Sequence, residues 1–120
     1  GWLSDIQGDR VLFTREGVGG ESSVSVLMSL EGETLGSWER SYAYFTQDDL
    51  TGESYVRLSP QQERKEGVTY CDLDGTYLFS APSSASSYGD TLYQWEDGYT
   101  SLTDREGRLI FGWRYPLAED

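Results

Sequence analysis

The feature that most constrains this chain is that it repeats itself. Residues Gly8 to Gly17 read GDRVLFTREG and residues Gly89 to Gly98 read GDTLYQWEDG. Both stretches open on Gly-Asp, carry an apolar-rich run and close on an acidic residue and Gly at the same spacing. A looser middle copy starts at Gly52, continues through Glu53 to Ser59 (ESYVRLS) and reaches its acidic-Gly pair at Glu66-Gly67. A second anchor follows each copy: Leu30-Glu31-Gly32, Leu73-Asp74-Gly75 and Arg105-Glu106-Gly107. Three residues past each of these glycines stand Leu35, Leu78 and Ile110, and six past it stand Trp38, Ala81 and Trp113. A fixed period of this kind is the signature of stacked supersecondary units, none of which buries its apolar face alone. The units run over residues 8–51, 52–88 and 89–120. Gly1-Trp2 resembles the Gly112-Trp113 corner, and the chain starts on Gly rather than Met, so it reads as a piece of a longer, processed array.

Within a unit the pattern is that of strands and tight turns. In the last unit, Leu92 to Trp95, Tyr99 to Thr103 and Arg108 to Gly112 are enriched in strand-favouring residues. Glu96-Asp97-Gly98 and Asp104-Arg105-Glu106-Gly107 supply the turns between them. The first unit gives Val11 to Phe13, Val24 to Met28 and Thr34-Leu35. Alternation there puts Val24, Val26 and Met28 on one half-buried face. No segment sustains a helical period, and a helical turn is expected at most around Ser59 to Glu66, with Pro60 at its first position. The expected fold is all-β, antiparallel hairpin and meander repeats, about three units of three strands packed as one domain. A β-trefoil is the alternative, and a propeller of at least four blades is longer than 120 residues allow.

Composition narrows the function. Four Trp, nine Tyr and four Phe supply enough apolar area for one core, which a 120-residue domain can build without disulfides. A net charge of −12 opposes binding to phosphate backbones and anionic lipid, so neither nucleic acid nor membrane insertion is expected. No apolar stretch approaches the length of a membrane span. With no histidine, Ser-His and Cys-His mechanisms and imidazole metal sites drop out. Cys71, the single cysteine, sits beside Asp72, which raises a thiol pKa, and reads as a buried structural thiol. Asp72-Leu73-Asp74-Gly75 has the start of a calcium loop but lacks the third alternating ligand and the distal Glu. Its repeat slot is shared by Asp104 to Gly107, which marks a hairpin turn, so no metal, cofactor or catalytic residue is assigned. Gly17-Val18-Gly19-Gly20 lacks the helix and Lys of a phosphate loop.

The succession of strand, acidic-Gly turn, strand, Asp-x-x-Gly turn and strand resembles the bacterial WG repeat. The last unit carries the resemblance through Leu92 to Trp95, Asp97 to Thr100, Asp104 to Ile110 and Trp113 to Ala118, and the middle unit through Gly67 to Leu78. Tyr99-Thr100 and Val68-Thr69 stand where the family carries its Trp-Gly pair. The resemblance implies a β-repeat array with a binding role in a bacterial envelope or multidomain protein, with secretion or the cell surface favoured over the cytoplasm.

The expected function is therefore a non-catalytic binding or scaffolding module with a protein partner, able to self-associate through open strand edges. Trp38 and Trp113 share a repeat offset and are expected to pack between units. Trp95 has no Trp counterpart in the other units and, with Tyr93 and Tyr99, is the expected ligand contact. A carbohydrate-binding module using exposed Trp and Tyr is the first alternative, and aromatics clustered on one exposed face would favour it. A glycosidase working through two of the 21 acidic residues, with carboxyls roughly 5 to 10 Å apart, is the second.

Overall fold

The computed structural model describes residues 1–17, 19, 23–60, 67–96 and 98–114, and every regular element among them is a β-strand. Twelve strands follow one another: β1 Trp2–Gln7, β2 Arg10–Arg15, β3 Val24–Ser29, β4 Thr34–Glu39, β5 Ser41–Gln47, β6 Ser54–Pro60, β7 Val68–Cys71, β8 Tyr77–Ala81, β9 Ala85–Tyr88, β10 Thr91–Glu96, β11 Tyr99–Asp104 and β12 Leu109–Arg114. They form three antiparallel four-stranded meanders: β1 to β4, β5 to β8 and β9 to β12. The all-β repeat architecture legible in the sequence is the fold.

Two details differ. Each sheet has four strands, one more than the sequence pattern signals, and the extra one is the first: β1, β5 and β9. Ala85-Ser86-Ser87-Tyr88 shows why, since a strand of small polar residues carries no apolar alternation for a pattern to catch. The frame differs too. A unit drawn from its hairpin glycine leaves that first strand with the preceding unit, so the sheets run over 2–39, 41–81 and 85–114 rather than 8–51, 52–88 and 89–120. Among the described residues no strand pairs across two sheets, so the sheets remain open and the closed barrel of a β-trefoil is not formed. Ser59 and Pro60 end β6 rather than opening a helical turn, and residues 61–66 lie outside the described set.

The repeated anchor is one turn built three times, between the third and fourth strand of each sheet. Ser29 Oγ accepts from the backbone N–H of Glu31 and Glu33, Asp72 Oδ1 from Asp74 and Thr76, and Asp104 Oδ1 from Glu106 and Arg108, at 2.8 to 3.2 Å. Each turn then needs a left-handed residue, supplied by Gly32, Gly75 and Gly107 at φ 90°, 87° and 91°. A β-bulge sits just before each turn, between Leu27 and Met28, Tyr70 and Cys71, and Leu102 and Thr103. Asp72 therefore spends its carboxylate on its own turn.

Stacking buries the faces in order. Leu12 and Leu27 of the first sheet, with Leu35 and Trp38 half-buried beside them, pack on Ala43, Val56, Leu58 and Cys71 of the middle sheet. The opposite face of the middle sheet, Tyr55, Val68, Tyr70, Phe79 and Ala81, packs on Ala85 and Leu92 of the third. Alternation along β6 makes this two-sided burial possible, because Tyr55 and Val56 leave the strand in opposite directions and both are buried. Within that second core Tyr70 stacks on Phe79 at 4.6 Å between ring centroids, and Tyr55 meets both rings edge-on. The covered face of β3 is Ser25, Leu27 and Ser29; Val24, Val26 and Met28 lie half-buried on the sheet's outer face. The Ser25 hydroxyl earns its covered place by donating to the Ser41 carbonyl at 2.7 Å.

Candidate binding face

Strand equivalence gives each sheet the same five positions on the face it turns toward the next. Counting from the turn glycine and then across the strand register to the second strand, they are Leu12, Ser25, Leu27, Gly36 and Trp38 in the first sheet. In the middle sheet they are Arg57, Val68, Tyr70, Phe79 and Ala81, and in the third Tyr93, Thr100, Leu102, Phe111 and Trp113. The middle sheet's first hairpin has a four-residue loop closed by Asp48 and Glu53, whereas the other two hairpins have two-residue loops. In sequence the middle copy is looser because PQQERK, residues 60–65, stands between its apolar run and its acidic-Gly pair. These positions are buried or half-buried in the first two sheets; in the third, Thr100 and Leu102 are half-buried, whereas Tyr93, Phe111 and Trp113 are 43%, 56% and 46% exposed.

Trp95, two residues beyond Tyr93 on β10, and Tyr88, paired across β9, extend the same bare face. Leu92, between them in the alternation, is buried against the middle sheet. The face is thus Tyr88, Tyr93, Trp95, Leu102, Phe111 and Trp113. Its edge forms a cleft of about 370 Å³ lined by Asp49, Tyr88, Tyr93 and Leu102.

Of the sequence-derived contacts, Tyr93 and Trp95 are together on this face. Tyr99 is not: it pairs with Arg114 on the other side of the third sheet, where the Arg114 guanidinium lies 5.2 Å from its ring and Gly112 leaves room for its hydroxyl. Trp38 packs between sheets, whereas Trp113, at the same repeat offset, faces solvent, so the expectation that both pack between units is corrected for Trp113. Tyr88 and Phe111 escaped sequence reasoning. A period-2 count along β12 from Trp113 would have found Phe111.

Polar groups fix how the third sheet is held and so how the face is presented. Asp48 is 3% exposed at the end of the first strand of the middle sheet. Its carboxylate accepts from Ser87 Oγ at 2.6 Å, from the Gly89 N–H and from the N–H groups of Leu50 and Thr51. Burial alone would push this carboxyl up, but those donors together outweigh it and hold it well below the usual carboxylate range. Arg105 lies 4.2 Å over the Phe79 ring and donates to the Tyr55 hydroxyl and the Gly89 carbonyl. Burial also raises the Tyr55 hydroxyl pKa, with Arg105 pulling against it.

Two further clefts lie elsewhere. One, of about 220 Å³, is lined by Tyr44, Arg57, Tyr70 and the Ser83 to Ser87 segment, and Arg57 there already donates to Tyr44, Tyr70 and the Ser83 carbonyl. The other, of about 360 Å³, borders Trp38, Leu58, Cys71 and Tyr77. Burial, then Asp72, raises the Cys71 thiol pKa, which keeps it from acting as a thiolate. Among the described residues no three His, Cys, Asp or Glu side chains converge as a metal site. No family model, curated protein or solved structure matches the chain, so its function is argued from these faces and clefts.

Proposed function

We propose that this chain is a non-catalytic binding module that takes a protein partner on the aromatic face of its third sheet. The observation that supports this is the exposure of Tyr93, Phe111 and Trp113, whose equivalents in both other sheets are buried or half-buried. Contiguous exposed apolar patches mark interaction sites on soluble domains, and Trp and Tyr at the centre of such a patch carry the largest share of protein-binding energy. The face mixes aliphatic Leu102 with aromatic side chains, as the buried face of the middle sheet mixes Val68 and Ala81 with Tyr55, Tyr70 and Phe79, which suits a protein surface. A setting within a larger bacterial envelope protein, as the WG-repeat resemblance implies, belongs to the same proposal.

The test is a comparison of wild-type protein with the Trp95→Ser/Trp113→Ser variant, each immobilised and exposed to a soluble protein extract. Proteins retained by the wild type and lost by the variant would support the reading; identical retention would refute it. A second reading, carbohydrate binding, has its own observation: the cleft beside the face is lined by the acidic Asp49 together with Tyr88 and Tyr93. Titrating neutral oligosaccharides while following Trp fluorescence separates the two. Saturable quenching lost in Tyr93→Ala would move the assignment to a sugar.

A further inference from the structure

We infer that the surface fitting this aromatic face is the outer face of the first sheet on a second copy of the chain, joined head to tail. The inference rests on the reading of the third sheet as a docking face and names its occupant.

The chain contains the proposed interface twice already. At each internal boundary the five-position face of one sheet meets the opposite, smaller and more aliphatic face of the next: Leu12, Leu27 and Trp38 against Val56, Leu58 and Cys71, then Tyr55, Tyr70 and Phe79 against Ala85 and Leu92. Among the described residues two faces are left over, one of each kind. The third sheet leaves a five-position face open. The first sheet leaves open the kind that receives it, made by Leu3, Ile6, Val11, Phe13, Val26 and Met28, which the strand register places side by side. Val11 and Phe13 there hold the positions that Val56 and Leu58 hold in the middle sheet, and Met28 that of Cys71. Trp113 holds the position at which Trp38 is packed against the middle sheet. Stacking a second copy would therefore continue an interface already present within the chain.

Because the two faces differ, the contact is heterologous: it closes a ring if the rotation allows and otherwise propagates. Four strands of about six residues offer a face of roughly 19 by 20 Å, near 400 Å² per partner, which is below the standard stable interface and makes a single contact weak and concentration-dependent. The charge of −12 on each copy opposes the approach, so screening by salt strengthens it.

The experiment uses the purified full chain. Phe13→Asp places a carboxylate on the outer face of the first sheet and Trp113→Asp places one on that of the third. Both positions are exposed, and circular dichroism and the urea midpoint check that each variant folds. Ile6→Ser and Phe111→Ser serve as a milder second pair. Sedimentation velocity from about 5 to about 500 μM, at low and high salt, should show wild-type association that rises with concentration and salt. Each variant should sediment as a monomer, and an equimolar mixture of the two should form a dimer, because one supplies the intact first-sheet face and the other the intact third-sheet face. Wild-type protein that stays monomeric throughout overturns the second-copy assignment. If the extract experiment still shows partners lost with the aromatic face, the binding function survives that failure; if it does not, both fall. Association that persists in Phe13→Asp and vanishes in Trp113→Asp would mean that aromatic faces pair with each other, which also overturns the head-to-tail arrangement.

Discussion

Phe79 and Phe111 occupy the same position in the middle and third sheets, four residues past the turn glycine, yet one is 4% exposed and the other 56%. The chain treats them alike: both follow an Asp-anchored turn, and both point toward where a next sheet would lie. The difference is only that a sheet is there in one case. Burial in a stacked repeat is decided by the neighbour rather than by the strand that carries the residue, and a face that is core at one level is exposed where, among the described residues, no sheet is stacked on it.

The largest effect that would break this comparison is in stability. Phe79→Ala empties a packed aromatic core and should cost about 3 to 5 kcal/mol in urea unfolding. Phe111→Ala, at the equivalent but bare position, should cost less than about 0.5 kcal/mol. Equal costs would mean that the third sheet's face is covered in solution. The turn glycines sharpen the same contrast. A Cβ at Gly75 would lie 2.5 Å from the Leu35 carbonyl of the first sheet, whereas one at Gly107 meets open space. Both Gly→Ala changes strain a left-handed residue by about 1 to 2 kcal/mol, and Gly75→Ala should exceed Gly107→Ala by a further 1 kcal/mol or so, measured by the same unfolding transitions.

Asp48 ties the middle sheet to the third, and Asp48→Asn should cost about 2 kcal/mol by weakening bonds to an ionised acceptor. Its folded-state pKa lies below the ordinary 3.8, so its stabilisation is complete above that value and fades as the pH falls beneath it toward the folded pKa. Urea midpoints from neutral pH down to about pH 3 should therefore fall less steeply in Asp48→Asn than in the wild type. Arg105→Met, which keeps the apolar stem over Phe79 but removes the bonds to Tyr55 and Gly89, should cost about 1 kcal/mol or slightly more.

Much of this fold was legible because its turns are chemical. An Asp or Ser, one further residue, an acidic residue and Gly build the same Asx-type turn at Ser29–Gly32, Asp72–Gly75 and Asp104–Gly107, and these three turns locate the third and fourth strands of every sheet. The first strands escaped because β9 is small and polar, β5 mixes Tyr with Ala and Thr, and β1 carries a bulge between Leu3 and Asp5 that breaks its alternation. The candidate face was half legible. Tyr93 and Trp95 stand out as strand aromatics, but Trp113 shares its offset with Trp38, and an offset reports register, not coverage. Tyr99 was misplaced because it looked like its neighbours in composition while sitting one step out of phase with Trp113 across the β11 and β12 pair.

The most direct measurement is the accessibility of single tryptophans in dilute protein, below the concentration at which copies meet. Variants that keep only Trp38, only Trp95 or only Trp113, with the others changed to Phe, are titrated with a fluorescence quencher. Trp38 should be protected, and Trp95 and Trp113 should both quench readily. A protected Trp113 beside an open Trp38 would contradict the stacking order and with it the assignment of the third sheet as the binding end.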